Sequence, residues 1–273
     1  MKPVSGILTA ILVMTALAGC KTQDSTRPLM QPDRLSAANY RAPGVPARLG
    51  DTDPHDWAGA VPARYPVHGI DAARYQGLID FRSAANAGIG FAWIKATEGG
   101  DFLDPGFRQN YARARAAGVP VGGYHFYYFC RSAAEQADWF IANVPHTKGD
   151  LPPVLDIEWN HTSPSCRKRP APHIVQAEMR VFLEKLTAAY GTRPVIYTTP
   201  DFWRDNGLEG FRGYDLWLRS VTAHPSERYT GTHWEFWQWT GTGVVPGVRG
   251  IVDVNAYRGS APDWEAWKAA RMQ

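Results

Sequence analysis

From Val67 onward the chain alternates short apolar runs with longer amphipathic ones, and this alternation narrows the fold more than any other feature. The apolar runs at 67–71, 90–97, 119–126, 154–158, 193–198, 216–219, 236–239 and 250–253 read as strands. Helical spacing is found at 79–87, 105–117, 132–143, 172–190 and 262–271. The helix ends carry fitting residues: Pro105 near a start, Gly118 and Gly191 after ends, and Ser132 with Glu135 at capping-box spacing. In the longest helix Ile174, Val175, Met179, Phe182, Leu183, Leu186 and Tyr190 form one apolar stripe, which is core material.

Strand followed by helix, repeated, implies parallel βαβ units. Eight such strands in 273 residues fit a closed α/β barrel better than an open sheet. No helix is evident after the sixth and seventh strands, so the expected fold is an irregular (β/α) TIM-like barrel with eight strands and fewer helices. Neither an internal repeat nor a second domain is visible. A net charge of +3 without a long single-sign run calls for no nucleic-acid partner.

The fourth strand carries the chemistry. In Pro152-Pro-Val-Leu-Asp-Ile-Glu-Trp159, Asp156 and Glu158 are two residues apart and so share a face. Two carboxyls side by side at the end of an apolar strand raise each other's pKa, and burial raises both. That arrangement is costly as plain structure and useful where one carboxyl must stay protonated and act as an acid. Barrel chemistry sits at the C-terminal ends of the strands. By that rule Asp71 at the end of the first strand and Asp253 at the end of the eighth join the pair, since the first and last strands meet on closure. Four converging carboxylates point to cleavage of a glycosidic bond. The eight His are scattered, no HExxH or CxxC spacing is present, and GxSxG, P-loop and dinucleotide fingerprints are missing from the sequence. No metal and no cofactor is therefore expected.

The N-terminus reads as a targeting segment. Lys2, an apolar run from Ile7 to Leu17 and Leu17-Ala18-Gly19-Cys20 together resemble a bacterial lipoprotein signal, cleaved before an acylated Cys. The organisation expected is a signal peptide at 1–19, the lipidated Cys20 with a flexible tether at 20–64, and a catalytic barrel at 65–273. This makes the chain exported and lipid-anchored, and Lys21 after the Cys goes with an outer-membrane location facing the periplasm. In an oxidising compartment the two remaining cysteines, Cys130 and Cys166, are expected to form a disulfide joining the ends of two adjacent strands.

Several segments, in order, resemble glycoside hydrolase family 25, the muramidase-type lysozymes. They are Gly69-Ile-Asp71, Phe91-Ala-Trp-Ile-Lys-Ala-Thr-Glu-Gly99, Gly122-Gly-Tyr-His-Phe126, Pro153-Val-Leu-Asp-Ile-Glu158, Pro194-Val-Ile-Tyr197, Trp237-Gln-Trp239 and Val252-Asp-Val-Asn255. The resemblance covers roughly residues 66–258 and implies an irregular barrel with fewer helices than strands. It implies hydrolysis of the β-1,4 bond between N-acetylmuramic acid and N-acetylglucosamine in peptidoglycan glycan strands; a monomer is expected. Glu158 is then the general acid. Asp156 is either a nucleophile or the group that orients the substrate's acetamido for attack, and the Asp156–Glu158 spacing fits both retention and inversion. Asp71 and Asp253 match further active-site positions. Tyr124 and Tyr197 match positions lining the family's cleft. Trp217 and Trp239 are candidate stacking faces for sugar rings, with core packing as the alternative for each. Arg167-Lys-Arg169 is a basic run past the catalytic strand, either a solvated loop or an attractor for anionic substrate. Two other functions fit part of the pattern: a non-catalytic peptidoglycan-binding lipoprotein, and a glycosidase for another N-acetylated polysaccharide.

Overall fold

A computed structural model describes residue 46 and residues 48–272; the expected signal peptide, Cys20 and most of the expected tether lie outside the described residues. The chain begins with β1 (Gly50–Asp51), β2 (His68–Ala72), α1 (Phe81–Asn86), β3 (Ile89–Glu98) and β4 (Phe102–Leu103). There follow α2 (Phe107–Ala116), β5 (Val121–Phe126), α3 (Ala133–Asn143), β6 (Val154–Asp156) and α4 (Pro172–Tyr190). Next come β7 (Val195–Thr198), α5 (Pro200–Asn206), β8 (Asp215–Arg219) and the one-turn α6 (Pro225–Arg228). The chain closes with β9 (Phe236–Val244), β10 (Val252–Tyr257) and α7 (Ala261–Arg271).

Eight of these strands form a closed barrel in the order β9-β10-β2-β3-β5-β6-β7-β8, with β8 pairing back onto β9. From β2 through β8 every barrel pairing is parallel, as the βαβ reading requires. β10 departs from that reading: it is antiparallel to both β9 and β2. The strand expected at 250–253 begins at Val252 and runs on to Tyr257, so Asp253 lies near its start rather than its end. Reversed polarity still delivers Asp253 to the C-terminal mouth, where it pairs in register with Asp71. The physical reason is the connection. The residues between β9 and β10 number too few for a parallel crossover, which takes a dozen or more.

The barrel has two cores. Inside it, Phe91, Trp93, Val154, Val195, Trp217 and Phe236 pack together, and Trp264 of α7 closes the bottom against Phe91 and Tyr257. Gly122 makes this possible, because a Cβ there would lie 2.8 Å from Nε1 of Trp93. Outside, Ile94, Leu155, Ile196 and Leu218 meet the helices, chiefly Phe140 of α3 and Met179, Phe182 and Leu186 of α4. In α4 the expected stripe is buried from Val175 to Tyr190, but Ile174, in the first turn, is 41% exposed. Ser132 caps α3 by accepting from the Glu135 amide, whereas the Glu135 carboxylate turns to Arg131 at 2.8 Å rather than completing the box.

The later part of the stretch read as tether is fixed to the barrel. Gly50 and Asp51 pair with β9, and Trp57 meets Trp237 edge-on with centroids 5.0 Å apart. The expected disulfide is present: Cys130 is bonded to Cys166, with Cα atoms 5.9 Å apart.

Candidate active site

Alternation along each strand decides which side chains reach the barrel mouth. Asp71 is on β2, Lys95 on β3, Tyr124 on β5, Asp156 is the last residue of β6, and Tyr197 is on β7. Arg219 ends β8, Gln238 is on β9 and Asp253 on β10. All eight line one cleft of about 650 Å³, together with Glu158 just beyond β6. That volume lies within the usual range for small-ligand sites. The four carboxyls read from the sequence are thus gathered at one mouth.

Burial dominates their electrostatics. Asp156 is 8% exposed and its Oδ1 has no hydrogen-bond partner among the described residues. Burial, and then the adjacent Glu158 carboxylate, hold the Asp156 carboxyl well above its ordinary range. Glu158 is less deeply buried; desolvation pushes it up to about 7, against the pull of the Arg219 guanidinium. Asp253 is likewise raised well above its usual value, by burial and then by Asp71.

Asp71 is the most firmly held of the four. Gln238 Nε2 donates to its two oxygens at 3.0 and 3.3 Å, and Asn255 Nδ2 donates to Oδ1 at 2.8 Å. Desolvation pushes Asp71 up to about 6, and these two donors oppose the rise. The amides are themselves fixed: Tyr197 donates to Gln238 Oε1 at 2.9 Å, and Trp217 Nε1 donates to Asn255 Oδ1 at 2.7 Å. Four desolvated carboxyls in one mouth oppose each other's ionisation, so the cluster retains protons near neutral pH.

Among the aromatic candidates Tyr124, Tyr197 and Trp217 line the cleft. Trp217 is 1% exposed, stacked on Trp93 at 4.9 Å and capped edge-on by Tyr197, so it forms floor rather than an open stacking face. Trp239 must be corrected. It points away from the barrel interior, into the outer core beside His68, and lies outside the cleft. Its neighbours Phe236 and Gln238 take the inward positions of β9. The basic run is also elsewhere: Arg167 donates to the Ser163 carbonyl at 2.6 Å, and Arg169 lies over the Trp159 ring at 5.0 Å.

The structure adds residues that the sequence reading did not single out. Gln238 and Asn255 position Asp71. Arg219 brings a cation to the acid cluster; its place at the end of an expected strand was the available signal. Asn160, Thr162, Ser163 and Ser165 form one wall of the cleft, and Tyr75, 74% exposed, stands at its rim. The disulfide ties that wall to the segment carrying Tyr128, which also lines the cleft. Among the described residues no group of three or more His, Cys, Asp or Glu is arranged to hold a metal ion.

Comparison with known proteins agrees with this geometry. Residues 70–248 match the family Glycosyl hydrolases family 25. Lysozyme M1 of Streptomyces globisporus is 38% identical over 210 residues, covering 71% of this chain and 69% of the relative. The uncharacterized protein YegX of Escherichia coli K12 is 33% identical over 217 residues, covering 76% of this chain and 75% of the relative. A family 25 glycosyl hydrolase from Bacillus anthracis superposes with a TM-score of 0.70 at 33% identity, covering 80% of this chain and 98% of that one. For the bacterial lysozyme from Streptomyces coelicolor the TM-score is 0.67 at 34% identity, covering 75% and 97%. With its barrel, its acid-lined mouth and a match over most of its length, the chain belongs to glycosyl hydrolase family 25.

Proposed function

We propose that the chain is a peptidoglycan muramidase that hydrolyses the β-1,4 bond between N-acetylmuramic acid and N-acetylglucosamine, with Glu158 as general acid. The observation that carries this reading is a carboxyl raised to about 7 in a cleft lined by three further carboxyls. Such a group keeps its proton near neutral pH and can pass it to a leaving sugar oxygen. The substrate class is supported by relatives that bear the names lysozyme and N,O-diacetylmuramidase.

In this mechanism Glu158 protonates the glycosidic oxygen as the bond to C1 of the muramoyl sugar breaks. Asp156, one strand step away, either attacks C1 or holds the substrate acetamido group for that attack. Water then adds to C1, and the deprotonated Glu158 takes a proton from it, which regenerates the acid. Asp71, held by its two amide donors, supplies negative charge near the developing oxocarbenium centre, with Asp253 beside it. Tyr124 and Tyr197 line the sugar path. Because the acid must be protonated, activity falls as pH rises through about 7.

The test is to incubate the protein and its Glu158→Gln variant with purified peptidoglycan and to identify the new reducing ends by mass spectrometry. N-acetylmuramic acid ends, lost in the variant, are expected. N-acetylglucosamine ends would move the cleavage to the other bond, and binding without release would leave a non-catalytic wall-binding protein. The N-terminal reading extends this proposal: Cys20 is acylated and anchors a monomeric enzyme in the outer membrane, facing the periplasm. Labelled palmitate incorporated by the wild type and not by Cys20→Ser tests it.

A further inference from the structure

The charges at the barrel mouth are arranged as a cross. Around the ring β2, β3, β5, β6, β7, β8, β9, β10, strands four places apart face each other. Asp156 on β6 faces Asp253 on β10, with Asp71 beside it on β2. The cations occupy the other diagonal, Lys95 on β3 and Arg219 on β8. They are not equivalent. Lys95 is already engaged, with Nζ 2.5 Å from Glu98 Oε2 and 4.5 Å above the Phe126 ring. The Arg219 guanidinium lines the same cleft yet forms no hydrogen bond or ion pair with any described residue. Its backbone is held firmly: Tyr229 donates to its carbonyl at 2.8 Å, and it pairs in register with Gln238.

A guanidinium without a hydrogen-bonded partner, carried on a fixed strand end, offers its planar fork to a carboxylate. The surrounding acids feel its charge, which opposes the rise of Glu158 and Asp253, but none hydrogen-bonds to it, and a neutral N-acetylated sugar carries no carboxylate to match the fork. We propose that Arg219 is a specificity-determining residue that binds a carboxylate carried by the muramoyl sugar, and so separates muramoyl polymers from neutral N-acetylglucosamine polymers. This rests on the muramidase reading above. Two sources share that chemistry: the lactyl carboxyl itself, free where the stem peptide is missing, and the carboxyls of an attached stem peptide.

The test measures kcat/KM of the full-length protein and of Arg219→Gln and Arg219→Lys on three substrates. These are glycan strands stripped of peptide, the same strands with carboxyls methyl-esterified, and strands still bearing stem peptides. The wild type is expected to favour a carboxylate substrate over the ester by about tenfold, the scale of one charge-assisted hydrogen bond. In Arg219→Gln that ratio falls to near one, and in Arg219→Lys, which keeps the charge and loses the fork, it is intermediate. Loss confined to stripped strands assigns the lactyl carboxyl; loss confined to peptide-bearing strands assigns the stem. An equal fall on all three substrates, with the ratio kept in both variants, overturns the proposal and leaves Arg219 as a counter-charge for the acids. If the wild type cleaves none of the three, the muramidase reading fails first, and the assignment of Arg219 falls with it.

Discussion

Replacing Glu158 by Gln is expected to make the protein more stable at alkaline pH while it abolishes hydrolysis. The Glu158 carboxyl is raised from 4.5 to about 7 by burial. Below pH 4.5 the group is protonated in both the folded and unfolded chain, so Glu and Gln are equivalent there. Between 4.5 and about 7 only the folded protein keeps the proton, and wild-type stability falls as pH rises. Above about 7 the full cost of an ionised, desolvated carboxylate is present. At about 1.36 kcal/mol per pH unit that cost is about 3 kcal/mol, reduced toward 2 by the water that reaches Glu158 through the cleft. Gln has the same shape and carries no charge, so the variant escapes it. At 2–4 °C per kcal/mol for a domain of this size, the melting temperature should rise by about 4–12 °C at pH 8.5. Little change is expected at pH 4. Thermal unfolding of both proteins across pH 4–9, followed by circular dichroism, gives the comparison. A stability difference that stays flat across that range, or a variant less stable at high pH, would refute the reasoning and place Glu158 in a water-like environment.

Other expectations follow from single contacts. Gln238→Leu removes one amide donor from Asp71; losing a hydrogen bond to a charged acceptor should raise the pH at which Asp71 ionises by about one unit. The acidic limb of the kcat/KM profile should move up by that amount, and an unmoved limb would separate Asp71 from the rate. Replacing Cys130 and Cys166 together by Ser opens a link between residues 36 apart, worth about 3–4 kcal/mol by chain entropy. Urea unfolding should show the loss, with a higher KM because one cleft wall is tied by that bond. Gly122→Ala puts a Cβ 2.8 Å from Trp93 Nε1 and should cost about 1–3 kcal/mol through displacement of the inner core, read as a lower urea midpoint.

Much of this protein was legible before folding because its signals are local. The 3.6-residue period of α4, the Ser132 cap and the apolar strands are set by propensity and burial within a few residues. The acid pair Asp156 and Glu158 was legible for the same reason: strand parity alone puts them on one face. The disulfide was legible because only two cysteines follow Cys20 and the strand order puts them at the ends of adjacent strands. What stayed hidden depends on closure. Phe236-Trp237-Gln238-Trp239 is buried on both faces, so its pattern has no polar side to mark the outside. Only the barrel decides that Gln238 reaches Asp71 while Trp239 turns into the outer core. The polarity of β10 was recoverable from its short connection, but its partners were not. Arg219 differs most between sequence and structure. As a residue it is one of many cations; it becomes a candidate contact because ring closure sets it among carboxyls from β2, β6 and β10 that feel its charge without hydrogen-bonding to it. Local chemistry names the acids, and tertiary structure decides which neutral and cationic groups hold them in a working state.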